Sequence, residues 1–130
     1  MNKRLDRVPN DFSAHFNLGA LLQSQGKLRE AESHYRAALA SKPGDYTTLN
    51  SLGTIYEQEQ KLDEAILLYR RALNSWGNYK DALYNLANAL AAKGELAEAA
   101  RSYRRVLRLN PQDQNARDRL AVVLRVLGTK

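Results

Sequence analysis

The stretch LGTIYEQEQKLDEAILLYRRA, residues 52–72, decides the fold. Its apolar and small residues Leu62, Ala65, Tyr69 and Ala72 are spaced by three, four and three positions. That spacing places them on one face of an α-helix and does not fit a strand, in which every second residue shares a face. A shorter apolar set at the start of the stretch, Leu52 and Tyr56, belongs to another helix. The stretch therefore predicts two amphipathic helices joined by a short turn.

The same pattern recurs at a constant interval of 34 residues. The residues that recur at equivalent positions are Leu18, Leu52, Leu86 and Leu120; Ala31, Ala65 and Ala99; and Tyr35, Tyr69 and Tyr103. An interval of this length is typical of helical repeat proteins, in which each repeat buries its apolar face against its neighbours. We predict one domain over residues 1–130, with repeats at 12–45, 46–79 and 80–113 and a last helix at 114–127.

Turn-forming residues separate these predicted helices. Gly26 and Gly94 fall between the two helices of the first and third repeats, where glycine can adopt the left-handed conformation that ends a helix. The second repeat has Gln60 instead. Segments 42–45 and 110–113 combine a proline with an aspartate, which suit the end of one helix and the cap of the next.

The repeat resembles the signature of the tetratricopeptide repeat (TPR) family. The residues that carry the resemblance are Leu52-Gly53-x-x-Tyr56, Ala65-x-x-x-Tyr69, Ala72 and Pro111. The resemblance implies an all-α fold, a right-handed α-solenoid of three helix-turn-helix units plus a C-terminal helix. Residues 76–79 depart from it, because they lack the usual proline. Residues 1–11 share Leu, Pro and Asp with residues 103–113, so we expect the remnant of a preceding repeat or an N-terminal extension there.

In TPR proteins the first helix of each pair lines a concave groove that binds peptides or partner helices. The resemblance therefore implies a non-enzymatic protein-interaction scaffold. Carried over to this sequence, the exposed groove residues are expected to be Phe16, Asn17, Asn50, Thr54, Tyr84, Asn85, Asn88 and Arg119. Amides both donate and accept hydrogen bonds, so Asn17, Asn85 and Asn88 suit the backbone of an extended peptide. The alternative, that they are solvated surface residues, stays open.

Two known TPR binding modes can be compared with these groove positions. The asparagine column is similar to the asparagine ladder of O-linked N-acetylglucosamine transferase, although Ser51 interrupts it. The carboxylate clamp, which holds the acidic C-termini of heat-shock chaperones, needs Lys or Arg side chains. The matching positions hold Phe16, Ala20, Ser51, Asp81 and Asn85, so the sequence argues against a clamp.

Four arginines suggest a rival site. Arg101, Arg104, Arg105 and Arg108 lie on one face of the second helix of repeat three, and the resemblance places them on the convex side. Such a stripe attracts anions, so the alternative function is electrostatic binding of nucleic acid or another anionic surface. Nucleic acid is the less expected partner, because no aromatic residues for base stacking interrupt the stripe.

The remaining composition argues against catalysis and membrane insertion. The chain has two histidines, His15 and His34, no cysteine, and no glycine-rich phosphate loop, so we expect no catalytic or metal site and no cofactor. No apolar run approaches the ~20 residues of a membrane-spanning helix, and the lack of cysteine fits a cytoplasmic location. The C-terminal helix has Val122, Val126 and Leu127 where earlier repeats are mostly polar, which predicts self-association through that helix.

Overall fold

A computed structural model describes residues 11–128, which form seven α-helices and no strand. The helices are α1 (Phe12–Ser24), α2 (Leu28–Ser41), α3 (Tyr46–Gln58), α4 (Leu62–Ser75), α5 (Lys80–Lys93), α6 (Leu96–Leu109) and α7 (Gln114–Leu127). Each of the three predicted repeats contains one helix pair, and α7 follows as an unpaired helix. The expected remnant at residues 1–11 lies, apart from Asp11, outside the described residues.

The inner turns use the same backbone geometry in all three repeats. Gly26 and Gly94 have φ angles of 77° and 92°, as predicted, and Gln60 adopts φ 65° at the equivalent position. In each turn the amide of the residue after this position donates to a carbonyl five residues earlier, for example Lys61 to Tyr56 at 2.8 Å. The backbone therefore imposes the left-handed conformation on Gln60, which lacks the freedom of glycine.

Aspartates cap the helices that follow two of the repeat junctions. The carboxylate of Asp45 accepts from the amide of Thr48 at 2.9 Å, and that of Asp113 accepts from the amide of Ala116 at 3.0 Å. The hydrogen bond from Ala116 contributes to a lowered pKa of the Asp113 carboxyl. These bonds satisfy amides that the first helical turn leaves without partners.

The junction between the second and third helix pairs is aromatic instead. Tyr79 precedes α5 without a side-chain cap. The Tyr79 ring lies 5.4 Å from that of Trp76 and 5.1 Å from that of Tyr46, and the rings of Tyr46 and Trp76 are 5.0 Å apart, measured between centroids. Three mutually packed rings thus stabilise the junction that lacks proline.

The core repeats with the sequence. Tyr35, Tyr69 and Tyr103 are almost fully buried, one in each repeat. A β-carbon added to Gly53 would lie 2.5 Å from a ring carbon of Tyr69, and the same holds at 2.8 Å for Gly19 and Tyr35. The small residues therefore let the tyrosine rings fit between the two helices of a pair, as the sequence predicts.

The helix contacts set the inner and outer sides of the array. The first helices of successive pairs contact one another, α1 with α3 and α3 with α5, whereas the second helices are further apart and are separated by clefts. The first helices consequently form the inner side. In residues 11–128 no helix is long and apolar enough to cross a membrane.

Candidate binding groove

Seven of the eight predicted groove residues lie on first helices, and the eighth, Arg119, lies on α7, where its guanidinium contacts Tyr84. The seven are Phe16 and Asn17 on α1, Asn50 and Thr54 on α3, and Tyr84, Asn85 and Asn88 on α5. Because the first helices line the inner side, the fold brings these residues to one surface. They differ in exposure and in how many of their polar atoms already have partners.

Asn50 was expected to be exposed, and that expectation is wrong. Its relative exposure is 9%, and its side-chain oxygen accepts a hydrogen bond from the amide nitrogen of Asn85 at 3.1 Å. This bond joins α3 to α5 across two repeats. Asn50 therefore positions Asn85, whose side-chain oxygen and second N–H hydrogen have no hydrogen-bond partner within residues 11–128.

Thr54 belongs to a hydrogen-bond network centred on Gln23. The amide nitrogen of Gln23 donates to the Thr54 hydroxyl oxygen at 2.8 Å and to the Gln58 side-chain oxygen at 2.9 Å. The Thr54 hydroxyl donates in turn to the Ser51 carbonyl at 2.7 Å. The polar atoms between α1 and α3 thus largely satisfy one another, and this part of the groove offers fewer groups to a ligand.

The core tyrosines also bond to the inner surface. Tyr35 donates to Gln23 at 3.0 Å, and Tyr69 donates to Glu57, one repeat later, at 2.6 Å. The third equivalent position is Ala91, which cannot accept, and Tyr103 donates to Asn88 instead. Burial, together with the bond to Glu57, raises the pKa of Tyr69, so its hydroxyl stays a proton donor.

The sequence did not predict that Gln23 and Glu57 accept hydrogen bonds from the core tyrosines, although their periodic spacing from these tyrosines signals this role. The spacing of 12 residues between Gln23 and Tyr35 is the same as that between Glu57 and Tyr69. In two antiparallel helices joined by a short turn, residues at this spacing lie opposite each other. The loss of an acceptor at Ala91 also draws Asn88 into the core bonding.

Phe16 and Tyr84, the predicted aromatic anchors, are partly buried. The Phe16 ring lies 5.8 Å from that of Tyr35, and the Tyr84 ring 6.1 Å from that of Tyr103. The Arg119 guanidinium carbon lies 5.8 Å from the centre of the Tyr84 ring, which is a cation–π contact. Both residues thus pack against the core tyrosines and keep part of their surface exposed.

A cavity of ≈ 390 Å³ opens between α5 and α7. Its lining combines apolar and polar side chains: Ala91, Tyr103, Asn115, Asp118, Arg119, Val122 and Val123. Alanine at position 91 leaves space that the longer Gln23 and Glu57 fill in the earlier repeats. An open cavity thus borders the α5–α7 half of the groove.

The sequence comparison decides the family. A family model described as tetratricopeptide repeat matches four overlapping stretches, residues 4–45, 16–80, 52–114 and 84–129. The chain belongs to the tetratricopeptide repeat family. Among curated protein sequences none matches it significantly. TPR domains are protein–protein interaction scaffolds and are typically non-enzymatic.

Solved TPR structures share the fold at low sequence identity. MamA matches with a TM-score of 0.91 and 21% identity, over 97% of this chain and 74% of the other. The first TPR of Spaghetti (RPAP3), bound to the HSP90 peptide SRMEEVD, matches with a TM-score of 0.88 and 24% identity, over 91% of this chain and 94% of the other. The second TPR domain of human RPAP3, in complex with the HSP70 peptide SGPTIEEVD, matches with a TM-score of 0.79 and 24% identity, over 84% of this chain and 91% of the other. These similarities confirm the predicted right-handed α-solenoid.

The predicted arginine stripe lies on α6, a second helix of this TPR chain, and its four guanidiniums point in two directions. All four arginines are exposed. Arg101 and Arg105 line a cleft between α4 and α6, whereas Arg104 and Arg108 do not. The Arg105 guanidinium donates to the Gly77 carbonyl at 2.9 Å. The stripe is thus not one uniform surface.

The two histidines of this TPR chain contact each other. The Nδ1 atoms of His15 and His34 are 3.0 Å apart, so one ring donates a hydrogen bond to the other, and the ring centroids are 5.2 Å apart. Within the described residues no group of three or more His, Cys, Asp or Glu side chains could hold a metal ion. The pair links α1 to α2 and serves the packing of the first repeat.

Proposed function

We propose that this TPR chain is an interaction module that binds an extended segment of a partner protein in its groove. The observation that carries the proposal is the α5–α7 half of the groove, where Tyr103 lines an open cavity and bonds to Asn88. Asn88 accepts from Tyr103 through its oxygen and still offers its amide N–H groups. Amides fixed by the fold can bond a peptide backbone without first losing conformational freedom.

The partner segment is expected to differ from the chaperone peptides bound by the RPAP3 domains. Those peptides end in an acidic sequence. The clamp positions of this chain contain no Lys or Arg and include Asp81. We expect instead a largely uncharged extended segment, bonded through its backbone and placing one side chain against Arg119 and Val122.

A peptide selection tests this proposal. Peptides would first be selected on the wild-type chain from a phage-displayed random library. Calorimetry would then compare their affinity for the wild-type chain with that for the variant in which Asn17, Asn85 and Asn88 are all changed to alanine. Each lost hydrogen bond is worth about 0.5–1.5 kcal/mol, so we expect affinity to fall at least about tenfold.

Its control replaces amides outside the groove. Asn74→Ala with Asn78→Ala removes two exposed amides, and we expect unchanged affinity. Because Asn88→Ala also removes the acceptor of Tyr103, circular dichroism must show that the triple variant stays helical. Equal affinity of a folded triple variant for the selected peptides would refute groove binding.

A further inference from the structure

A cleft of ≈ 410 Å³ separates α4 from α6 on the outer side of the array. Three arginines surround it, Arg70 from α4 and Arg101 and Arg105 from α6. Apolar side chains, Leu73 and Leu86, form part of its lining. The cleft thus combines cationic walls with an apolar surface, and it is distinct from the groove on the first helices.

Two of these arginine charges are not neutralised within the described residues. Arg70 donates to both carboxylate oxygens of Glu98, at 2.7 and 3.2 Å, and these bonds lower the pKa of the Glu98 carboxyl. Arg101 and Arg105 form no ion pair in the part of the chain that the structure describes. The bond from Arg105 to the Gly77 carbonyl fixes that guanidinium beside the cleft. An excess of two positive charges faces the cleft.

The equivalent cleft one repeat earlier provides an internal comparison. It lies between α2 and α4 and measures ≈ 190 Å³. Leu67 and Leu68 stand there at the positions of Arg101 and Ser102. Arg36 and Arg71 line the earlier cleft at the positions of Arg70 and Arg105, so the cleft of the third repeat differs by the additional Arg101 and by its greater volume.

We propose that the α4–α6 cleft binds an acidic side chain of a partner protein segment, with Arg101 and Arg105 holding its carboxylate. Guanidinium groups match carboxylate geometry and form charge-assisted hydrogen bonds. An apolar residue next to the acid contacts Leu73, which is partly exposed beside the buried Leu86. This apolar surface, with no aromatic ring in the lining for base stacking, favours protein over nucleic acid.

A charge-matched pair of double variants tests the proposal. The probe is a fluorescein-labelled peptide of alternating glutamate and leucine, titrated at physiological salt and followed by fluorescence anisotropy. Arg101→Leu with Arg105→Leu removes two charges from the cleft, and Arg104→Leu with Arg108→Leu removes two from the same helix outside it. We expect affinity to fall at least about tenfold in the first variant and less than about threefold in the second.

Three results would overturn the inference. Equal losses of affinity in both variants would indicate unspecific attraction. The second result is that the peptide does not bind the wild-type chain. The third is tighter binding of single-stranded oligouridine than of the peptide, which would assign the cleft to nucleic acid. Circular dichroism confirms that both variants fold. The outcome is independent of the groove, because the variant with alanine at Asn17, Asn85 and Asn88 should bind this peptide normally.

Discussion

At the scale of single residues, the packing of Gly53 against Tyr69 shows how closely the repeat is fitted. The Tyr69 side chain is fully buried, and its hydroxyl is fixed by the 2.6 Å bond to Glu57. A methyl group at position 53 would lie 2.5 Å from the ring. The ring cannot move away without breaking the bond to Glu57, so glycine is required by its small size.

We expect Gly53→Ala to lower the free energy of unfolding by about 1–2 kcal/mol. Overpacking costs about 1–3 kcal/mol, while alanine in a helix regains up to about 1 kcal/mol over glycine. Urea denaturation measures the difference. In a Tyr69→Leu background the clash is relieved, and the same change should be neutral or stabilising. A stabilising effect in the wild-type background would show that the ring yields.

Some contacts of single residues could be predicted from the sequence and others could not. The 34-residue interval predicted the buried tyrosines and the small residues that face them, because every repeat shares them. It did not predict the burial of Asn50, which depends on Asn85 in the next repeat. Nor did it predict the bond from Tyr103 to Asn88, which arises because Ala91 breaks the repeat pattern.

At the scale of helices and turns, the inner turns carry an unequal strain. Gln60 adopts φ 65°, a conformation that costs a residue with a β-carbon about 1–2 kcal/mol. Its side chain is exposed and makes no hydrogen bond within residues 11–128. Replacing Gln60 with glycine therefore removes no side-chain hydrogen bond.

Gln60→Gly is expected to raise the free energy of unfolding by up to about 1 kcal/mol. The relief of strain exceeds the larger entropy that glycine loses on folding. The reciprocal change, Gly94→Gln at φ 92°, should lower stability by at least as much. Thermal and urea denaturation of both variants measure this, and a destabilising Gln60→Gly would contradict the strain argument.

At the scale of the whole molecule, the array is regular inside and differs at its C-terminal helix. Val122, Val126 and Leu127 of α7 are 51%, 67% and 43% exposed. No second helix pairs with α7 within the described residues. Full burial of one such side chain is worth about 1.5–3 kcal/mol, so covering this surface is favourable.

We expect the isolated chain to self-associate through α7. Light scattering over a concentration series should show dimers or larger assemblies, and Val126→Glu with Leu127→Glu should favour the monomer. Ala92→Glu with Ala97→Glu adds the same charges at other exposed positions and serves as the control. A wild-type chain that stays monomeric at high concentration would refute self-association.

The architecture could be predicted because the repeat can be recognised in the sequence. The helix order follows from a pattern that occurs three times in the chain, and two inner turns and two capped junctions carry the expected glycine, proline and aspartate. The predicted groove residues lie on the first helices and on α7, yet their exposure and hydrogen bonding are set by contacts between different repeats. The α4–α6 cleft could not be recognised from the arginine stripe alone, because Arg70 and Leu86 come from other helices.

The aromatic junction gives the chain a built-in optical probe. Trp76 is its single tryptophan, and it contacts Tyr46 on one side and Tyr79 on the other. Its emission therefore reports on one boundary alone, the one between the second and third helix pairs. Circular dichroism averages over every helix of the array. Comparing the two signals during denaturation separates opening at this boundary from melting of the whole chain, so the cooperativity of the array can be read without any attached label.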